Sequence, residues 1–405
     1  MDAKLVEWKK ASNRKPLIIK GARQIGKTDS IVKNISLLDP SLEFVPGNAL
    51  LFFDELQECP ACATSLKAFK LDERYDVICS GSLTGSNYKE IESNSVGFKE
   101  DVEMSSLDFE EFLWAKGYSP SQIEDLYSDM LNLRPLSSVE MAVMREAFRD
   151  YVTLGGMPEV VDMYVRNNNF SGTLKLQRQL ITDYDEDITK YATGLDKTKI
   201  QNIFSRIAVF LAKENKKFQI SKVASGARNR EYVGTVEWLN DAGLINICYC
   251  LDKAELPLKT NYNPGIFKLY FKDTGLLIAS LDDEAQENFR TGRNFETCKG
   301  AIYENIVGDM LVKEGYDLFY YKTEKSTLEM DFFVRDSDSL IPVEVKATDN
   351  ATVSLKRLIE SDKWPDIKFG IKLCDKNIGF NGRFYTFPYF MIFLLKRFLI
   401  GRVLR

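Results

Sequence analysis

Residues Gly21 to Thr28, "GARQIGKT", constrain this chain more than any other stretch. They follow the short apolar run "PLIIK", which predicts a buried strand, and precede "KTDSIVKNISLL", whose spacing predicts a helix. The pattern is G-x-x-x-x-G-K-[ST]. Glycines let backbone amides close on phosphate oxygens without a side chain in the way, forming an anion nest. The helix behind adds its positive end. Lys27 is expected to reach the β- and γ-phosphates, and the Thr28 hydroxyl to ligate magnesium. Gly21, Ala22, Arg23, Gln24, Ile25, Gly26, Lys27 and Thr28 are therefore the expected contacts of a bound ATP.

A second stretch, "NALLFFDE", supports this expectation. Four apolar residues, Leu50 to Phe53, predict a buried strand tipped by Asp54 and Glu55. Alternation sends the two carboxylates in different directions. Asp54 is expected in the magnesium shell, and Glu55 is expected to orient and polarise the attacking water. The plain alternative is an exposed acidic turn after a core strand. The next apolar run, "YDVICSGS", ends in Ser80 and Ser82. Either serine is placed to touch the γ-phosphate or the water, or belongs to an ordinary turn. No arginine stands out as a transition-state finger.

Composition narrows the chemistry. The chain has 405 residues, 44% hydrophobic and 28% charged, with a formal net charge of -5. That length exceeds one compact core, and the charge argues against nucleic acid binding over the whole surface. There is no histidine, which removes Ser-His and Cys-His nucleophiles and imidazole metal sites. Seven cysteines show no repeating framework, and Cys59-x-x-Cys62 stands without the further ligands zinc needs. This usage predicts a reducing cytoplasm. No secretory signal is visible. The run "FYTFPYFMIFLL" is too short to span a bilayer, so it predicts a buried element or a docking surface rather than a membrane contact.

Strands alternate with helices up to "KEDVEMSSL", predicting a parallel sheet covered by helices. From "DFEEFLWAKG" to about residue 192 the pattern is helical, interrupted at Gly155-Gly156 and Pro158. Residues 198 to 251 read as helix, short helix, helix, strand, which is the winged-helix pattern. Lys222, Arg228 and Arg230 favour DNA; Glu231, Glu237 and Asp241 dilute them. A packing adaptor between domains explains the same pattern.

Near the C-terminus, Asp331, Glu344 and Lys346 form D-x12-E-x-K. Glu344 and Lys346 share one strand face, and a hairpin brings Asp331 beside them. Two carboxylates holding magnesium, with a lysine to steady the hydroxide or the oxygens on phosphorus, is phosphodiesterase chemistry. A charged pair on a solvated strand face is the alternative.

"GARQIGKT", "LLFFDELQECPACATSLKAF", "VICSGSLTG", "LDFEEFL", "GGMPEVV", "KLYFKDTGLL" and "GAIYENIV…EMDFFV…PVEVKA" occur in that order. In this the whole chain resembles the prokaryotic AAA-type ATPases with an appended C-terminal domain of unknown function. The resemblance implies an α/β protein in four parts: a P-loop ATPase core with a doubly wound parallel sheet (1–117), a helical lid or connector (118–192), a winged-helix domain (193–283) and a restriction-endonuclease-like α/β domain (284–405). It also implies that Glu304 completes the metal set with Asp331 and Glu344. One departure stands out. Relatives place a further strand and helix before the acidic strand, where this chain has only "LDPSLEFVPGN". The expected function is magnesium-dependent ATP hydrolysis coupled to DNA binding or processing. The alternative is a nucleotide-dependent switch for a protein partner, or a scaffold, without nuclease chemistry. Homo-oligomers are compatible with either.

Overall fold

A computed structural model describes residues 17–20, 45–56, 60–81, 97–192, 197–211, 232–281, 284–291, 296–323, 328–346 and 352–403. They form two compact units. One runs to Ser105 and takes in Lys190–Leu195 and Asp241–Gly243; the other comprises Ser106–Thr189, Asp196–Asn240 and Leu244–Arg405. The break falls before residue 117 because Phe109 and Phe112 are fully buried in the second unit, Phe109 against Phe148, Tyr151 and Phe393.

In the first unit, β1 (Leu17–Lys20), β2 (Leu50–Phe53), β3 (Asp76–Ser80) and β4 (Glu100–Glu103) form a sheet of order β2-β3-β1-β4. All its pairings are parallel. Helix α1 (Pro60–Asp72) links β2 to β3. Leu51, Leu56, Cys62, Ala63, Leu66, Val77 and Cys79 form the core between them. Among the described residues, β2 is the outermost strand on its side of this sheet. Its outward residues Leu50 and Phe52 are 55% and 57% exposed.

The second unit opens with helices α2 (Phe109–Ala115), α3 (Pro120–Leu131), α4 (Ser138–Leu154), α5 (Pro158–Asn167) and α6 (Thr173–Tyr191). Local chemistry sets their starts. Asp108 and Glu111 form a capping box before α2, and Ser137 and Glu140 one before α4. Pro120 and Pro158 stand at first helical positions. Helix α4 stops at Gly155, whose φ of 73° lies in the left-handed region.

The first helix expected in residues 198 to 251 is two, α7 (Lys197–Phe204) and α8 (Ile207–Leu211). After α9 (Val233–Asp241) come β5 (Ile245–Leu251) and β6 (Tyr262–Phe271), an antiparallel hairpin. The second helix expected of a winged helix, with Lys222, Arg228, Arg230 and Glu231, lies outside the described residues. Helices α10 (Thr274–Ala279), α11 (Ala285–Thr291) and α12 (Glu296–Lys313) lead to β7 (Leu318–Lys322) and β8 (Glu329–Met330). Strand β5 pairs with β6 on one side and, in parallel, with β7 on the other, giving the order β6-β5-β7-β8. The expected boundary at 283/284 therefore runs through one sheet.

Asp331 interrupts the extended chain, which continues as β9 (Phe332–Arg335) in a second sheet. That sheet has the order β12-β13-β11-β10-β9, with β10 (Leu340–Val345), β11 (Gly370–Cys374), β12 (Gly379–Phe380) and β13 (Phe384–Pro388). Strand β9 is antiparallel to β10, and β10, β11 and β13 are parallel, with α13 (Val353–Ile359) crossing between β10 and β11. The apolar run near the C-terminus supplies β13 and a buried 3-10 turn, Tyr389–Leu394, before α14 (Leu395–Val403). No helix among the described residues is long and apolar enough to cross a membrane.

Candidate functional site

Two polar sites sit where strands end. In the first unit, parallel register puts Phe53 opposite Cys79 and Ile19 opposite Ser80. The tips of β2, β3 and β1 thus lie side by side, and the glycine-rich stretch leaves β1 at its tip. The Ser80 hydroxyl donates to the Asp54 carboxylate and accepts the Glu55 N–H at 3.0 Å. Ser80 therefore ties the acidic strand to its neighbour. Glu55 is fully buried and holds a φ of 51°. A non-glycine residue in the left-handed region costs on the order of 1 kcal/mol, here compensated by the Ser80 contact. Burial pushes the Cys79 thiol beneath this tip up to about 12, so it remains protonated. Gly21, Ala22, Arg23, Gln24, Ile25, Gly26, Lys27, Thr28 and Ser82 lie outside the described residues. Magnesium at a nucleotide uses one or two carboxylates, the substrate phosphates and water. One carboxylate beside a hydroxyl, as at Asp54 and Ser80, fits that donor set.

In the second unit, the hairpin of β9 and β10 brings Asp331 to Glu344 and Lys346 as the spacing predicts. Asp331 Oδ2 accepts the Val345 N–H at 2.8 Å, and Lys346 Nζ pairs with Glu344 Oε1 at 2.9 Å. Glu344 is 2% exposed, and its Oε2 is buried without a hydrogen-bond donor. Burial raises the Glu344 carboxyl above its ordinary range, against the lowering effect of Lys346 and Lys372. Burial works to lower Lys346, but the Glu344 carboxylate outweighs it, with Asp331 and Glu329 adding to the rise.

Glu304 is placed differently from the expected metal set. Its Oε1 accepts Lys268 Nζ at 2.8 Å and the Tyr270 hydroxyl at 2.5 Å. Among the described residues, no group of three or more Cys, Asp or Glu side chains is arranged to hold a metal ion. Asp331 and the bare Glu344 Oε2 fit a cation; Glu304, already holding an ammonium and a phenol, does not.

Sequence reasoning missed Lys268, Tyr270 and Glu329. Lys268 is 1% exposed, pairs also with Glu329 at 3.3 Å, and lies 4.7 Å from the Tyr320 ring centre. Glu329 in turn takes Lys322 at 2.6 Å. The available signal was the lone lysine in the apolar run "IFKLYF", which a buried strand tolerates only with a partner.

Three stretches of the chain match known families. Residues 32–113 match the AAA domain, residues 145–287 a domain of unknown function (DUF8612), and residues 299–390 another (DUF4143). The stretch that matches the AAA domain takes in β2, β3 and β4 and ends within α2. Among individual proteins, the uncharacterized protein MJ1544 of Methanocaldococcus jannaschii is 25% identical over 335 residues. The match takes in 76% of this chain and spans 66% of that relative's length. The solved Walker-type ATPase PABY2304 of Pyrococcus abyssi is 15% identical, with a TM-score of 0.35 over 57% of this chain and 62% of that one. That likeness is too loose to argue from.

Proposed function

We propose that this chain is a magnesium-dependent ATPase whose second unit binds and processes DNA. The observation that carries the first half is the Asp54–Ser80–Glu55 linkage at the tip of β2, beside the strand that delivers the glycine-rich stretch. In this reading Gly21 to Thr28 cradle the phosphates and Lys27 neutralises them. Thr28 and Asp54 hold the magnesium, which supplies charge neutralisation when bound. Buried Glu55 orients and polarises water. Ser80 bonds to both acidic residues, so it is placed to relay the state of the nucleotide to β3.

The second half rests on the Asp331, Glu344 and Lys346 constellation. Its surroundings have the order α12, the antiparallel pairs β7–β8 and β9–β10 in two adjoining sheets, α13, then β11 parallel to β10, an order that supports the restriction-endonuclease-like reading. DNA is preferred over RNA because the segment before it reads as a winged helix. The second reading, a nucleotide-dependent switch for a protein partner without nuclease chemistry, is favoured by the ammonium groups already seated on Glu304 and Glu344.

The test is direct. ATP hydrolysis with magnesium should fall about 100-fold or more in Lys27→Ala and Glu55→Gln; unchanged rates would sink the ATPase reading. Plasmid nicking with magnesium or manganese should be lost in Glu344→Ala. Absence of both nicking and DNA affinity at low salt hands the second unit to the switch reading.

A further inference from the structure

Lys268 has no part in the chemistry proposed above, yet it stands in the same polar cluster. Alternation along β6 puts Lys268 and Tyr270 on one face and Phe267, Leu269 and Phe271 on the other. A buried ammonium persists only where carboxylates are fixed around it. Glu304 and Glu329 provide them at 2.8 and 3.3 Å, with the Tyr320 ring alongside.

Among the described residues, lysine side chains stand against the carboxylates of this cluster. Lys268 and Lys322 answer Glu304 and Glu329. Lys346 pairs with Glu344 at 2.9 Å. A divalent ion on Glu304 would face the Lys268 ammonium across a single carboxylate oxygen. Glu344 Oε2 meets no such donor.

We infer that Lys268 is a resident cation. Its ammonium takes the place where Glu304 and Glu329 would otherwise hold a second divalent ion, so the site admits a single ion, at Asp331 and Glu344. The inference rests on the nuclease-like reading only for the identity of that single ion's ligands. It excludes the clamp in which two metals share the attacking and leaving oxygens. Lys268 is thus a positioning residue, fixing Glu304 and Glu329 away from the ion.

Manganese counting on the full chain, nucleotide-free and in an Asp54→Asn background, tests this. The parent should bind one ion per chain, lost in Glu344→Gln and kept in Glu304→Gln. Lys268→Met should gain a second ion, abolished by adding Glu304→Gln, and its melting temperature should rise with manganese. If Lys268→Met folds only with the ion, that dependence is itself the expected result; Lys268→Arg should fold without it and bind one ion. A parent binding two ions, one lost in Glu304→Gln, overturns the inference, as does a folded Lys268→Met that neither gains an ion nor responds to manganese. A parent binding none, with Lys268→Met gaining one through Glu304, upholds Lys268 and sinks the ligand reading of Asp331 and Glu344.

Discussion

The Asp273 carboxylate accepts the Gly156 N–H at 2.7 Å across 117 residues of sequence. Its other oxygen accepts the Leu276 N–H at 3.2 Å and caps α10. Gly156 in turn takes the Leu107 N–H on its carbonyl at 2.7 Å. A Cβ on Gly156 would fall 1.9 Å from the Leu107 carbonyl oxygen. Gly156→Ala should therefore destabilise the second unit by about 3 kcal/mol. Asp273→Asn should cost about 1–3 kcal/mol, since a buried N–H loses its charged acceptor. Denaturant midpoints check both.

Lys313 and Asp309 form a buried ion pair at 2.8 Å on α12, with Lys313 also reaching the Leu107 carbonyl and the Tyr151 hydroxyl at 3.2 Å. Burial pulls the ammonium down, but Asp309 and Tyr151 hold it above its ordinary value. Removing one partner strands the other. Asp309→Leu or Lys313→Met alone should each cost about 3–5 kcal/mol, and the double variant much less than their sum. A double-mutant cycle on unfolding free energy measures the difference.

Burial pushes the Glu314 carboxyl from 4.5 up to about 7, with Asp108 adding repulsion against the pull of Lys396 and Arg397. The folded chain then holds this proton more tightly than the unfolded chain. The group's contribution to stability is full below pH 4.5 and is lost as pH rises through about 7. Glu314→Gln should thus be more stable than the parent at pH 8, with the gap closing at pH 4. Melting curves across that range give the answer; a gap that widens on acidification contradicts it.

Among the described residues β2 is an edge strand, and its Leu50 and Phe52 are exposed. Apolar edges template further strands. Phe52→Thr should change unfolding free energy by less than about 0.5 kcal/mol and lower light scattering on heating. Equal scattering would mean this edge is protected in solution.

Much of this architecture was readable from residue pattern. The apolar runs "LLFF" and "DVICS" became parallel strands, but the burial expected of the first fails at Leu50 and Phe52, which are exposed. Asp331, Glu344 and Lys346 met because strand periodicity and a hairpin leave little choice. Long-range polar pairs were not readable. Nothing beside Lys268 in sequence names Glu304 as its partner, and the metal role expected of Glu304 came from the family resemblance alone. Nothing beside Gly156 names Asp273. The break at Ser205–Arg206 was hidden by unbroken amphipathic spacing on both sides, since periodicity records which face is buried and not whether the axis bends.

The parallel pairing of β5 with β7 has a consequence for how such chains evolve. Matches to two separate domains meet between residues 287 and 299, inside a single hydrogen-bonded sheet. A recombination event cutting there would strip a neighbour from β7 and take Lys268 away from Glu304. The last third of this polypeptide, cut free of the hairpin before it, would keep an open strand edge and an unanswered buried carboxylate.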